Sequence, residues 1–188
     1  MSSAAPADFS IDSSHSSAQF KVKHLMVTTV RGEFSNVTGK VNYDPAAPEK
    51  IAIEASIDAS TVNTREAKRD EHLRSADFFE VEKHPAITFK SKSAKSTGKG
   101  KLDVTGDLTI RGVTKPVVLA VEGLDSEVKD PWGNTRIGAT GTTKINRKDF
   151  GLNWNTVLEA GGVMVSDNVD IEIDVSLVKA APAAASAE

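Results

Sequence analysis

The chain has 188 residues, 23 lysines and arginines, 26 aspartates and glutamates and a formal net charge of −3, which suits one domain with a substantial core. That balance creates no strong positive field of the kind that nucleic acid or an anionic membrane surface selects. Cysteine is absent, which excludes disulfide frameworks, thiol nucleophiles and cysteine metal sites.

The start, Met1 to Asp8, has neither the basic residues nor the apolar run of a secretory signal. No segment approaches the roughly 18 apolar residues of a transmembrane helix. As written, the chain is expected to be cytoplasmic and without stable membrane insertion; a mature protein that had lost an export signal would begin the same way and would be periplasmic. Residues 1–7 are predicted to be disordered, residues 8–178 to form the domain, and the Ala-, Pro- and Ser-rich residues 179–188 to be a disordered tail.

Alternation of apolar and polar residues dominates the domain, as expected of strands with one wet face. Phe9 and Ile11 open the pattern, and Phe20 and Val22 follow against Gln19, Lys21 and Lys23. His24 continues the parity of Phe20 and Val22. Val30, Gly32 and Phe34 come next, then Val37, Gly39 and Val41, then Ile51, Ile53, Ala55 and Ile57. Between Asn63 and Phe79 the pattern breaks. Asn63 with Glu66 resembles a capping pair followed by good helix formers, which predicts a helix, broken near Ser75.

Strands resume with Ile87 and Phe89, with Leu102, Val104, Gly106, Leu108 and Ile110, with Val117, Leu119 and Val121, and with Ile137, Ala139 and Gly141. The last strand is the clearest: Val169, Ile171, Ile173, Val175 and Leu177 oppose Asp170, Glu172, Asp174 and Ser176, which no helix would segregate. Turn residues fall between the runs, at Asp44-Pro45, Lys95–Gly98, Arg111–Thr114 and Asp130–Asn134. The pattern predicts an all-β, antiparallel fold of about eight strands with one or two short helices, at spacings typical of barrels and sandwiches.

A sheet with one apolar face must bury it, and no large amphipathic helix is present to cover it, so the sheet closes on itself or packs on another. A barrel of about eight strands either fills with side chains or holds one small ligand. Gly32, Gly39, Gly106 and Gly141 share the inward parity and point to an open interior; singly, each is also explained by a bulge or bend. The expected lining is Phe20, Val22, His24, Phe34, Ile53, Ile57, Phe89, Leu108, Ile110, Leu119 and Trp154. Such a wall suits an apolar, elongated ligand.

Five blocks carry a resemblance to a known family: HSSAQFKVKHL (15–25), VRGEFSNVTGKV (30–41), RDEHLRSADFFEVEKHPAITF (69–89), GDLTIRGVTKPV (106–117) and INRKDFGL (145–152). In order and over about residues 8 to 178, they resemble the YceI-like family. The resemblance implies an extended lipocalin-like barrel that binds polyisoprenoids, among them polyprenyl phosphates and isoprenoid quinones, and carries or stores them without established chemistry. It implies no cofactor other than the bound lipid, and no particular compartment.

Beside that resemblance, the residues divide between functional and structural readings. His24 either meets a ligand head group or is a core histidine bonded to a neighbouring carbonyl. Arg69, Asp70 and His72 are candidate head-group ligands at the barrel mouth; against this, Asp70 and Arg74 make an ordinary i,i+4 pair for a solvated helical face. Asn146, Arg147 and Asp149 read as a structural turn before Phe150-Gly151. Trp132 and Trp154 each read as the cover of an open end or as a packing anchor, with Trp154 favoured because Phe150 and Leu152 accompany it.

Catalytic and metal sites are not expected. His72 with Asp70 or Asp77 is the nearest acid–base pair, no nucleophile elbow occurs, His15, His24, His72 and His84 have no metal-ligand spacing, and Gly98-Lys99-Gly100 is too short for a phosphate loop. Two other functions suit the same residues: a stress-related barrel filled by its own side chains that binds another protein, and a small isoprenoid-modifying enzyme acting through His72 and Asp70. A homodimer is a reasonable expectation, since an apolar barrel mouth gains from being covered.

Overall fold

A computed structural model describes residues 6–181. The strands are β1 (Ala7–Ile11), β2 (Ser17–His24), β3 (Thr28–Phe34), β4 (Val37–Tyr43), β5 (Ala52–Asp58), β6 (Ala86–Gly98), β7 (Lys101–Ile110), β8 (Val113–Glu122), β9 (Glu127–Lys129), β10 (Thr135–Asn146) and β11 (Val165–Lys179), with one helix, α1 (Ala67–Arg74), between β5 and β6. All pairings between strands are antiparallel. Eight strands close a ring in the order β11-β1-β4-β5-β6-β7-β8-β10 and back to β11. Closure satisfies backbone groups that open edges would leave unpaired.

The ring takes up eight of the ten alternating segments, and the other two are β2 and β3. The remaining strands are appendages: β2 and β3 form a hairpin on β11, and β9 pairs with the start of β10. On one edge β11 runs beside β10 from Asn168 to Val178; on its other edge it pairs with β2 up to Asp174 and then with β1 from Leu177. Residues 12–16 make the step between β1 and β2. Asp12 N–H donates to Ser176 O (2.8 Å), and Ser176 N–H donates to the Ser16 hydroxyl (3.0 Å). Because β1 continues into β4 while β2 continues into β3, the sheet forks there.

The segment between β5 and β6 is tied into the fork. Glu33 and Asn63 exchange backbone bonds of 3.0 and 2.9 Å, and the Phe34 ring meets Phe79 edge-on at 5.3 Å. The helix is shorter than the capping pair suggested. Asn63 belongs to that bridge, its side chain accepts from Arg65 N–H, and Arg65 sits at φ 65°, outside helical space. Glu66 caps the helix instead, accepting from Lys68 N–H at 3.3 Å. The break at Ser75 is real, and its hydroxyl donates to His72 O.

The predicted disordered ends need a small correction. Ala7 and Lys179 lie in strands, Phe9 stands opposite Lys179, and Ala180 N–H donates to Asp8 O at 2.7 Å. Residues 1–5 and 182–188 lie outside the described residues. Among the described residues, no helix is long and apolar enough to cross a membrane. The β7–β8 turn is Arg111-Gly112, both left-handed, a conformation that costs glycine little.

Candidate functional site

The inward faces of the strands enclose a cavity of about 570 Å³, within the range of small-molecule sites. Alternation places Phe20, Val22 and His24 of β2 in its wall, with Phe34 from β3, Ile53 and Ile57 from β5 and Phe89 from β6. Leu108 and Ile110 of β7, Leu119 of β8 and Trp154 of the β10–β11 connection complete the lining expected from sequence. The wall also includes Val169, Ile171, Ile173 and Val175 of β11, whose one-sided pattern marked them as core without singling them out as contacts.

Three of the four glycines do not open the interior. A Cβ at Gly32 would lie 2.2 Å from Phe20 Cζ, and one at Gly106 would lie 2.5 Å from Phe89 Cζ: each glycine is covered by an aromatic ring of the neighbouring strand. A Cβ at Gly39 would strike the β5 backbone, 2.2 Å from Glu54 O. Only Gly141 borders the cavity itself. At Gly32 and Gly106 the space that a missing side chain leaves is filled by an aromatic side chain across the strand pair.

Polar groups gather at one end, where β2 finishes and α1 and the β10–β11 connection begin. Lys23, Glu66, Lys68, Arg69 and His72 border the cavity there. Arg69 donates through Nε to Thr64 Oγ1 (2.7 Å) and through Nη2 to Thr64 O (2.8 Å), which holds its guanidinium against the mouth. His72 Nε2 lies 2.7 Å from Asp77 Oδ2, and its ring stands edge-on to Trp154 at 4.8 Å and to Phe78 at 5.1 Å. The imidazole is therefore oriented by one carboxylate and two aromatic rings.

Asp70 does not reach the cavity. Its carboxylate is buried and accepts from Thr64 N–H (2.8 Å) and the Thr64 hydroxyl (2.6 Å), so it fixes the turn that presents Arg69. Nor does it pair with Arg74 on a solvated face. Arg74 donates instead to Ser60 O (2.8 Å) and Val62 O (3.0 Å), which staples α1 to the segment before it. Of the two carboxylates considered for His72, Asp70 is therefore committed to Thr64 and Asp77 is the one that His72 meets. His24 is half-buried in the wall; its carbonyl accepts from Val27 N–H and the Thr28 hydroxyl, and among the described residues its ring makes no hydrogen bond.

The sequence places Arg147 in a turn, and Asn146 does cap that turn by accepting from Lys148 N–H. Its own role goes further. The residue is 3 % exposed, and its guanidinium donates to the carbonyls of Ser166 (2.9 Å), Leu152 and Trp154 (2.8 Å). Burial pushes its pKa down and Asp167, 3.7 Å away, pushes it back up. It joins both ends of the β10–β11 connection and so positions Trp154. No sequence pattern marked this, because its acceptors are backbone atoms. Trp132 is 81 % exposed, on a turn capped by Asp130, and is not part of the site.

A closed antiparallel ring with an apolar interior and its polar groups at one end defines a lipocalin-like barrel. Residues 9–177 match the family model described as a YceI-like domain, and the chain belongs to that family. A protein of Ectopseudomonas mendocina called UPF0312 protein is 46 % identical over 148 residues, covering 78 % of this chain and 77 % of its own. Among solved structures, the YCEI protein of Campylobacter jejuni superposes with a TM-score of 0.71 at 31 % identity over 85 % of this chain and 90 % of that one. A polyisoprenoid binding domain from Saccharophagus degradans shares the fold, with a TM-score of 0.66 at 19 % identity, over 92 % of this chain and 98 % of that one.

Proposed function

We propose that the protein binds a long isoprenoid lipid, of the polyprenyl phosphate or isoprenoid quinone class, and carries or stores it without altering it. The observation that carries this reading is the division of the cavity: hydrocarbon walls along its depth, with Lys23, Arg69 and His72 at one end. An apolar tail gains by leaving water for such a wall, and one charged or carbonyl-bearing head is served by donors at the mouth. The name of the Saccharophagus degradans neighbour describes binding of the same chemical class. Membership of a family with a binding-protein fold favours carriage over catalysis.

Native mass spectrometry of gently purified protein, read beside the lipids in its organic extract, tests this. A bound mass that reappears in the extract as an isoprenoid is the expected result. Repeated recovery of empty protein that also fails to take up added long-chain quinone or prenyl phosphate would refute it. Substitution of Arg69 and His72 by glutamine is expected to weaken uptake of the lipids about tenfold or more while an apolar hydrocarbon of equal length binds unchanged.

A further inference from the structure

The rim beside the polar end of the cavity has an apolar surface of its own. The turn between β2 and β3 exposes Leu25, Met26 and Val27 by 38, 56 and 73 %, and Val157 in the β10–β11 connection is 78 % exposed. These belong to one rim. Leu25 N–H donates to Met164 O at 2.8 Å, and a Cβ at Gly162 would lie 3.9 Å from Met26 Cγ. His24, Met164 and Val165, directly behind the turn, line the cavity. The exposed apolar turn therefore sits directly against the cavity wall.

The turn is also strained. Leu25 and Met26 have φ of 51° and 59°, a conformation for which hairpins normally use asparagine and glycine. Backbone strain combined with exposed hydrocarbon stabilises neither the turn nor the barrel, and both features are characteristic of binding segments. Lys23, Lys68 and Arg69 at the mouth outnumber Glu66, so the groups next to the apolar tip suit anionic head groups.

We propose that this rim docks on the surface of a lipid bilayer, with Leu25, Met26, Val27 and Val157 entering the boundary between head groups and acyl chains. The inference rests on the carrier reading and gives that carrier its route of loading: the mouth opens against hydrocarbon, and an isoprenoid tail passes without crossing water. Four side chains make the contact reversible, since even one fourteen-carbon acyl chain gives only marginal membrane binding. A second exposed pair, Trp132 and Val128, lies at the far end. Its strand pairs near Val178 whereas the tip pairs at Val165, roughly 40 Å apart along β11.

The test is flotation with vesicles of phosphatidylcholine containing phosphatidylglycerol, using the full chain, a Leu25→Asn/Met26→Gly variant and a Trp132→Ala control. The double substitution supplies the residues the turn conformation prefers, so it is expected to fold at least as well as the parent. The expected result is vesicle binding reduced about tenfold or more by the double substitution, unchanged by Trp132→Ala, with uptake of a long-chain quinone from detergent micelles intact in all three. Equal flotation of parent and tip variant, or no flotation of the parent, overturns the proposal. So does a parent dimer in light scattering that the tip substitution dissolves, which would make the rim a contact between copies. Flotation as expected without quinone uptake by the parent would sink the carrier reading and leave the docking surface standing.

Discussion

At the residue scale, Arg147 and Gly32 show how the cavity is kept in shape. Arg147 brings a charge into an apolar wall and satisfies it with the carbonyls of Ser166, Leu152 and Trp154. Its removal leaves those acceptors buried without donors, and lysine cannot replace the planar fork. Arg147→Ala and Arg147→Lys are both expected to destabilise the protein, the former by about 3 kcal/mol or more, measured by urea unfolding. Trp154 fluorescence should shift towards that of exposed indole in both. Gly32 works by exclusion: any Cβ there meets the Phe20 ring. Gly32→Val is expected to cost about 1–3 kcal/mol as an overpacking substitution. It should also drive the Phe20 ring into the cavity, reducing the longest isoprenoid taken up, as read by mass spectrometry over a chain-length series.

At the scale of elements, the fork between β1 and β2 is held by charge. Arg136 of β10 donates to Asp12 (2.7 Å), in the step between those strands, and to Asp130 (2.8 Å), which caps the turn before β10. The Ser14 hydroxyl and then Arg136 hold the Asp12 carboxyl well below the usual carboxylate range. Arg136, foremost, lowers Asp130 to about 2. Both carboxyls are depressed in the folded protein, so their contribution to stability is complete above the ordinary value near 4 and is lost as pH falls through the folded values. The urea midpoint of the parent is therefore expected to fall steeply below about pH 4. Arg136→Gln should lower the midpoint at neutral pH and flatten its decline in acid; an unchanged acid slope would show that the clamp contributes nothing. The limits of α1 are set by local contacts as well, at Arg65 and Ser75, rather than by its weak apolar pattern.

At the scale of the whole molecule, closure requires both ends of the chain. Phe9 stands opposite Lys179, and β11 joins β10 to both β1 and β2. A deletion beginning at Asp174 removes the β1 pairing and part of the β10 pairing, and it is expected to abolish cooperative unfolding rather than merely lower its midpoint. Ligand binding should stabilise the ring by mass action. At one hundred times its dissociation constant, an isoprenoid adds about 2.7 kcal/mol, on the order of 5–10 °C in Tm for a domain of this size. Extraction of bound lipid should lower the calorimetric Tm by that amount and re-addition should restore it; a Tm indifferent to both would mean that the cavity is not occupied in the folded state.

Period-two alternation is a property of consecutive residues, and through it the sequence by itself determined the strands, their inward faces and the apolar character of the wall, from Phe20 in β2 to Leu119 in β8. The five family blocks added the class of ligand to be expected. Contacts between distant segments lay beyond that reach. Only the tertiary structure decided that rings of Phe20 and Phe89 cover Gly32 and Gly106, that Asp70 turns to Thr64 while His72 turns to Asp77, and that Arg147 is committed to carbonyls on both sides of a loop. The physical reason is that a side chain's facing direction follows from its own strand, whereas its partner depends on which other strand the closure of the ring brings opposite.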